Sequence, residues 1–491
     1  MNIINREFIN KNIKFYDSLD TDDFYQIQDF YDAINFWKMI LWEGYGLRPG
    51  NIVSFFDSSI RFKYVTLFFA AAELGLTMLT PPEKPTDSTG RTTKLDVMIG
   101  KGKIDLCITD DIVAKTAPEI LAMANYYSKV VLPMDIYDTY KIKNDSTYQI
   151  ISNMQLGNTF DTLLLTTSSG TTAEPKFLSY THSQLCTIGK RNFKVFDFEN
   201  ANICHTRNMH HAYVLMVNFL PTLYGCKNHY TYVPPDRSNA TPDKFYFINF
   251  IIKNKISKLT LSHKDILDEL LDTMIAHDLM FTHKIDIIVG GFWITPDYVS
   301  KIEKVNINSI ISNFGSNETL GPITLRYVTQ DTPIENYKIN YLGCTVDNFY
   351  ATSLVDNQLH VTCFDLFPDI KVMGDKITGS AETGFYHLGR EHFYRINDID
   401  FDLNIIEKIV SKYTDKNITI TLDMPYQKLY LSVWADPLQT IDLQSINEEL
   451  QQKYGALNIV AYSALDRKNF ESFKLDHDQI REYFRKKLNL S

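Results

Sequence analysis

Cysteine is scarce in this sequence and is never clustered. Six cysteines are spread singly along 491 residues, without any C-x-x-C pair. A disulfide framework is typical of short secreted chains with closely spaced cysteines, so this class of protein is excluded. We expect reduced and mostly buried thiols at Cys107, Cys186, Cys204, Cys226, Cys344 and Cys363.

Long apolar runs are also missing. The two most apolar stretches cover residues 65–80 and 212–226; Glu73 interrupts the first, and Asn218 and Pro221 interrupt the second. Neither reaches the ~18 uninterrupted residues that a membrane span needs. The first residues lack the charged and then apolar order of a signal peptide. We therefore predict no membrane span and a cytoplasmic location.

An excess of positive charge is absent as well. The chain has 49 Lys and Arg residues against 59 Asp and Glu residues, which gives a formal net charge of −10. Polyphosphate backbones repel a chain of this sign, so nucleic acid is not an expected partner.

What the sequence does have is a regular alternation of helical patterns and short apolar runs through residue 388. At roughly 150 residues per domain, a chain of this length is expected to form more than one domain. The alternation predicts an α/β fold with parallel sheets flanked by helices. The expected strands are 51–56, 104–109, 129–132, 162–166, 258–261, 285–289 and 307–312.

The pattern changes in two later parts of the chain. Between about 325 and 375 strands follow one another without helices, and a turn at 355–357 precedes the strand 358–363, which predicts a small β-rich subdomain. From residue 389 a helix, two alternating strands, a helix, a strand and a terminal helix predict a separate α+β domain. We expect an N-terminal domain at 1–388, a mobile C-terminal domain at 389–491, and a tight hinge between them.

One polar segment, TTSSGTTAEPK at 166–176, directly follows an apolar strand. Small residues, hydroxyls and a lysine suit a phosphate-binding loop, because backbone N–H groups and a cation can surround an anion. A Walker loop would need a glycine at Pro175 and Ser or Thr at Phe177. A serine nucleophile would need G-x-S-x-G, which is absent. Taken alone, the segment could also be an ordinary polar turn.

Further segments occur in a recognisable order. LRPGNIVSFFDSS and FFAAAELGLTMLTPPEKP come first, and FLPTLYGC, GGFWIT, NFGSNETLGP, MGD, LGR and FESFKLD follow the polar loop. Together with TSSGTTAEPK, which has Ala173 in place of a usual glycine, they resemble the motifs of the adenylate-forming superfamily. This superfamily comprises acyl-CoA synthetases, adenylation domains of nonribosomal peptide synthetases, and luciferases. The resemblance is closest to acyl- and aryl-CoA ligases.

The resemblance implies a role for each matched residue. Lys474, Glu318 and Lys176 would be catalytic, and Glu318 would also hold Mg²⁺. The acyl pocket would include His210, His211, Gly290 and Gly291, and His392 stands where the family usually has a hinge aspartate. The implied ATP-binding set is Thr167, Ser168, Ser169, Gly170, Thr171, Thr172, Lys176, Phe314, Gly315, Asn317, Asp375 and Arg390.

The implied enzyme is an AMP-forming carboxylic acid ligase that uses ATP and Mg²⁺ and releases pyrophosphate. No aspartate occurs at 209–213 to pair with a substrate ammonium, which disfavours an α-amino acid. The acyl group would pass to the thiol of coenzyme A or of the phosphopantetheine arm of an acyl carrier protein. Two alternatives stay open: an adenylation-only ligase that transfers to an amine or a protein, and a noncatalytic relative that binds nucleotide or acyl ligand.

A zinc site is a further alternative, raised by Cys204, His205, His210 and His211, because cysteine and histidine are good zinc ligands. No acidic partner or C-x-x-C pair accompanies these residues, so a pocket wall at His210 or His211 is the preferred interpretation.

Overall fold

The structure of the protein is a computed structural model, and it describes part of the chain. These residues are 8–16, 24–56, 62–80, 104–109, 130–133, 146–167, 177–206, 214–231, 244–261, 264–292, 294–335, 337–338, 340–346, 348–363, 365–390, 393–396, 399–410, 412–413, 417–423, 428–434, 441–454, 459–464 and 483–488.

A six-stranded sheet contains the first predicted strands. Its order is β5-β4-β2-β3-β6-β7, and all neighbours are parallel except β6 and β7. The predicted strands were placed correctly to within two residues at their starts. The bounds are β2 (Ile52–Phe56), β3 (Thr77–Leu79), β4 (Leu106–Thr109), β5 (Val130–Pro133), β6 (Thr162–Thr167) and β7 (Phe177–Thr181).

A twelve-stranded sheet forms the larger layer. Its order is β1-β9-β8-β10-β11-β12-β13-β14-β18-β17-β16-β15, parallel from β1 to β12 and antiparallel beyond. The bounds are β1 (Lys14–Tyr16), β8 (Asn202–His205), β9 (Asn228–Thr231), β10 (Lys258–Leu261), β11 (Ile285–Gly290), β12 (Ile307–Ser316), β13 (Gly321–Val328), β14 (Tyr341–Thr345), β15 (Ala351–Val355), β16 (Gln358–Cys363), β17 (Phe367–Ser380) and β18 (Gly384–Arg390).

Helices lie between these strands. Among the described residues, the helices before residue 307 are α1 (Ile27–Met39), α2 (Phe62–Leu74), α3 (Ser146–Ser152), α4 (His182–Val195), α5 (Leu220–Thr222), α6 (Lys244–Lys253), α7 (Lys264–Ala276) and α8 (Asp297–Val305). Two π-helical segments lie at Ile40–Gly44 and Val214–Phe219. Within the described ranges no helix combines the length and the apolar character that crossing a membrane requires.

The two faces of the twelve-stranded sheet bury different apolar clusters. Ile203, Ile288 and Ile311 belong to one cluster, whereas Cys204 and Ile287 belong to the other. Successive side chains of a strand point to opposite faces, so a strand covered on both sides is apolar at every position. This double burial explains why the predicted parallel strands read as short, largely apolar runs in the sequence.

The predicted β-rich subdomain is confirmed by β13 to β18. Val355 pairs with Gln358, so β15 and β16 are joined by the two residues Asp356 and Asn357. Both have positive φ, 52° and 62°, which is the conformation of the tight hairpin turns that Asp and Asn favour.

The C-terminal part has the predicted α+β elements and its own apolar cluster. The elements are β19 (Phe393–Ile396), β20 (Ile399–Asp402), α9 (Leu403–Val410), β21 (Asn417–Asp423), β22 (Lys428–Trp434), α10 (Leu443–Tyr454) and β23 (Ile459–Ala464), and residues 483–487 are helical. The cluster draws all its buried members from residues 406–459. β18 continues through Gly389 and Arg390, and the domain division at 388/389 stays a prediction.

A fully buried ion pair ties the helices of the six-stranded sheet together. Lys38 of α1 and Glu73 of α2 are both 0% exposed, and Lys38 Nζ lies 2.8 Å from Glu73 Oε2. The same ammonium donates to the carbonyl oxygens of Ser152 at 2.8 Å and Met154 at 2.7 Å. Three acceptors thus match the three N–H donors of the lysine.

Breaking this pair should be costly. Lys38→Met would leave the Glu73 carboxylate buried without its cation and would remove the donor from two partly buried carbonyl oxygens, and we expect a loss of about 3–5 kcal/mol in the free energy of unfolding. Urea denaturation measures it. Lys264→Ala is the control, because its pair with Asp268 is half-exposed at 3.2 Å and should contribute about 0–1 kcal/mol. Equal losses in both variants would contradict this account.

Candidate active site

Several predicted site residues lie at one edge of the twelve-stranded sheet. β8, β10, β11 and β12 are parallel, so their carboxyl ends meet at the same edge. In open α/β sheets ligands bind beside such an edge. The strands β11 and β12 end there at Gly290 and Ser316, and the predicted residues Asn317 and Glu318 follow directly.

The turn from β12 to β13 is held by hydrogen bonds on both sides. Ser316 N–H donates to Thr319 Oγ1 at 3.0 Å, and the Tyr350 hydroxyl donates to the Thr319 carbonyl at 2.7 Å. Leu320 is buried and has a φ of 64°, a strained value for a side chain of this kind. The surrounding bonds therefore fix an unusual backbone at this position.

The predicted adenine-binding pair precedes the turn. Phe314 is partly buried and packs against the larger apolar cluster. A Cβ atom at Gly315 would overlap the carbonyl oxygen of Gly321. Glycine is therefore required at 315 by the close approach of β12 and β13, and this reason is independent of any ligand.

The strand that follows the predicted phosphate loop contacts the same turn. Thr167 pairs with Phe177, so residues 168–176 connect the ends of β6 and β7. Three residues beyond Phe177, the buried Tyr180 hydroxyl donates to the Asn317 carbonyl at 2.9 Å. Burial raises the pKa of Tyr180, and the negative charge of Glu318 raises it further. The Glu318 carboxylate therefore lies close enough to influence the ionisation of this hydroxyl.

Asp375 reaches this region from β17. The Ser316 hydroxyl contacts Met373 Sδ at 3.8 Å, and Asp375 lies two residues further along the strand on the same face. Asp375 is 6% exposed. Its Oδ1 lies 3.1 Å from His387 Nε2, and Arg390 occupies the opposite register position on β18.

The two predicted pocket glycines end β11. A Cβ atom at Gly290 would lie 3.3 Å from Asn313 Oδ1, and Asn313 Nδ2 donates to the Val289 carbonyl at 2.6 Å. Gly291 has a φ of 84°, which favours glycine. The next helix, α8, begins at Asp297.

Other predicted residues fall outside the described ranges: Ser168, Ser169, Gly170, Thr171, Thr172, Lys176, His210, His211, His392 and Lys474. Of Thr167 and Arg390 the structure describes the strand position alone. Their roles stay predictions. The structure brings together the strand that follows the predicted phosphate loop, the turn at 317–320 and the strand that carries Asp375.

Strand geometry argues against the zinc alternative for Cys204 and His205. Cys204 packs into the cluster on one face of the sheet, whereas the His205 ring lies against His229 and its Nδ1 is 2.7 Å from Thr260 Oγ1. Adjacent strand residues point apart, so these two do not share an ion. Among the residues that the structure describes, no group of three or more His, Cys, Asp or Glu could hold a metal.

Sequence reasoning did not predict the burial of three histidines. His182, His205 and His229 are 0%, 0% and 2% exposed, and each has a buried ring nitrogen that finds no hydrogen-bond partner among the described residues. Burial lowers the pKa of His182 to about 4, of His229 to about 3, and of His205 well below its ordinary value. The three rings are therefore neutral in the folded protein near pH 7.

These histidines should make the fold sensitive to acid. Their pKa values are depressed in the folded state, so the unfolded chain binds more protons below its value of ~6.5, and stability falls as pH falls. At pH 5.5 each histidine should cost about 1.4 kcal/mol. His229→Phe should reduce the loss between pH 7.5 and 5.5 by about that amount in urea denaturation. The exposed His277 provides a control through His277→Gln, and an unchanged slope in His229→Phe would refute the assignment.

The fold and the clustered segments define a nucleotide-binding enzyme class, and a family model identifies it. The model described as AMP-binding enzyme matches residues 28–360, more than half of the chain. The chain belongs to the AMP-binding enzyme family. A comparison with curated protein sequences found no match.

Solved structures with the same fold cover nearly the whole chain. McyG A-PCP complexed with phenylalanyl-adenylate is 14% identical, with a TM-score of 0.77, and the match covers 99% of this chain and 95% of that one. The anthranilate CoA ligase AuaEII in complex with anthranoyl-AMP is 12% identical, with a TM-score of 0.68 and coverage of 98% and 97%. The amide bond synthetase McbA from Marinactinospora thermotolerans is 10% identical, with a TM-score of 0.69 and coverage of 98% and 99%. At these identities the likeness establishes the fold.

Proposed function

We propose that this enzyme activates a carboxylic acid with ATP, forming an acyl-adenylate and releasing pyrophosphate. The observation that carries the proposal is the convergence of three predicted ATP-binding segments. Tyr180, on the strand that follows the predicted phosphate loop, donates to the Asn317 carbonyl, and Met373, on the strand of Asp375, contacts Ser316. These two contacts support a single nucleotide site at this edge of the sheet.

The phosphate loop would hold the β- and γ-phosphates. Ser169, Gly170, Thr171 and Thr172 supply backbone N–H and hydroxyl donors, and Lys176 supplies a positive charge. In-line attack on the α-phosphate by an anionic carboxylate is slow without such neutralisation. Phe314 would stack on the adenine, and Asp375 would accept from the ribose hydroxyls.

Glu318 is suited to hold Mg²⁺. Its side chain is exposed, it lies on a turn fixed by several hydrogen bonds, and within the described ranges it makes no hydrogen bond or ion pair. Mg²⁺ prefers carboxylate and phosphate oxygens and keeps several waters, so one exposed carboxylate beside the triphosphate fits. The ion would lower the repulsion between the two anionic reactants.

Lys474 would complete the site from the C-terminal part. A lysine ammonium is a compact point charge, and at this place it would bridge the substrate carboxylate and the α-phosphate. Two features favour an aliphatic or aromatic acid over an α-amino acid. No aspartate occurs at 209–213, and Gly290 and Gly291 have no side chains that would fill the proposed acyl pocket.

The acceptor is proposed to be a thiol, from coenzyme A or from carrier-protein phosphopantetheine. The three similar structures are named for different systems: an A-PCP protein, a CoA ligase and an amide bond synthetase. The last of these supports the alternative, in which the adenylate passes to an amine. His392 in place of the usual hinge aspartate also bears on this step, because domain movement often controls the second half-reaction.

Carboxylate-dependent exchange of pyrophosphate into ATP tests the adenylation step. We expect exchange with at least one member of a library of aliphatic and aromatic acids. Lys474→Ala should lower the rate on the order of 10²-fold or more, by analogy with the loss of one preorganised electrostatic contact. Lys453→Ala, an exposed lysine on α10, is the control and should leave the rate unchanged. No exchange with any acid would sink the proposal.

The acceptor is tested with the acid that supports exchange. Thiol transfer predicts that free coenzyme A, or a phosphopantetheinylated carrier protein, is consumed together with ATP and that a thioester is detected by mass spectrometry. Amide formation with added amines, without any thioester, would instead favour the alternative. His392→Asp should speed thioester formation and leave exchange unchanged, if the hinge limits the second step.

A further inference from the structure

His387, to which no prediction gave a role, contacts Asp375, the residue proposed to bind the ribose. His387 Nε2 lies 3.1 Å from Asp375 Oδ1, and the two side chains are 16% and 9% exposed. An ionised carboxylate can only accept hydrogen bonds, so His387 donates through Nε2–H. A hydrogen bond to a charged group in such a sheltered place is stronger than a neutral one.

A bulge in the strand pairing aims this histidine at Asp375. Asp375 pairs with Arg390 and Lys376 with Gly389, but Ile377 pairs with His387, so Leu388 is an extra residue. With regular alternation His387 would point to the face opposite Asp375. The extra residue reverses its side, as bulges do when they redirect a side chain. His387 thus becomes the diagonal neighbour of Asp375 on the same face.

The backbone of His387 is fixed from the other side. Its N–H donates to the Asn340 carbonyl at 2.8 Å, and Asn340 Nδ2 donates to the His387 carbonyl at 3.0 Å. The imidazole therefore approaches Asp375 from an anchored strand. The Asp375 strand is in turn held to the turn after β12 through Met373 and Ser316.

We propose that His387 is a positioning residue that orients the Asp375 carboxylate for the ribose hydroxyls of ATP. The proposal rests on the function proposed above, in which Asp375 binds the ribose. His387 acts through Asp375 and does not itself contact the reacting atoms. The strand bulge at Leu388 and the two bonds to Asn340 are the features that place it there.

Nucleotide binding to the full-length protein tests this without knowledge of the acid. Affinities for ATP and for 2′,3′-dideoxy-ATP are measured by calorimetry with Mg²⁺. His387→Phe keeps a ring of similar size and removes the donor, and it should weaken ATP binding about 10-fold while changing dideoxy-ATP binding less than about 2-fold. His387→Gln retains an N–H donor and should restore ATP binding to within about 3-fold of the original chain.

The outcomes separate a positioning role from a structural one. Equal weakening of both nucleotides in His387→Phe, or no weakening of either, would overturn the inference. The double variant Asp375→Ala/His387→Phe should bind ATP no more weakly than Asp375→Ala, since His387 acts through Asp375. If the unaltered protein bound no ATP and exchanged pyrophosphate with no acid, the proposed function would fail as well. If the unaltered protein binds ATP and exchanges pyrophosphate, but His387→Phe leaves the preference for ATP over dideoxy-ATP unchanged, the inference fails while the proposed function stands.

Discussion

The hydrogen bond from the Tyr180 hydroxyl to the Asn317 carbonyl joins the two large sheets at the edge where the proposed site lies. Tyr180 belongs to the six-stranded sheet, which carries the predicted phosphate loop. Asn317 follows β12 of the twelve-stranded sheet. The acceptor is a backbone carbonyl, so the contact does not depend on the side chain at 317. A change of the side chain at 317 would therefore leave this bond in place.

Much of the fold could be predicted because its central strands are buried on both faces. Residues 259–261 and 287–289 are apolar or small at every position, and the structure has strands at Lys258–Leu261 and Ile285–Gly290. A strand that is buried on both faces needs apolar side chains at successive positions, so it can be recognised in the sequence as an apolar run. The hairpin of β15 and β16 was predictable for another reason, because Asp356 and Asn357 accept the positive φ that its turn requires.

Interactions between distant residues could not be predicted in this way. Glu73 reads as a charge that interrupts an apolar helix, yet it is fully buried against Lys38, 35 residues away. His229 gives no sequence signal of its own, because its burial comes from Phe15 and Phe219 on other elements. In both cases the partner that decides the environment is remote in sequence.

In the candidate site, too, residues within local motifs could be predicted, whereas a contact that depends on strand pairing could not. Motif resemblance assigned Asp375 and Arg390, which stand opposite each other on β17 and β18. It gave no role to His387, which lies three residues before Arg390 on β18, because the direction of its side chain depends on one extra residue in the pairing. That strand continues to Arg390 at the predicted domain junction. A shift in the pairing of β18 with β17 would therefore turn His387 away from Asp375 and remove its hydrogen bond to the carboxylate.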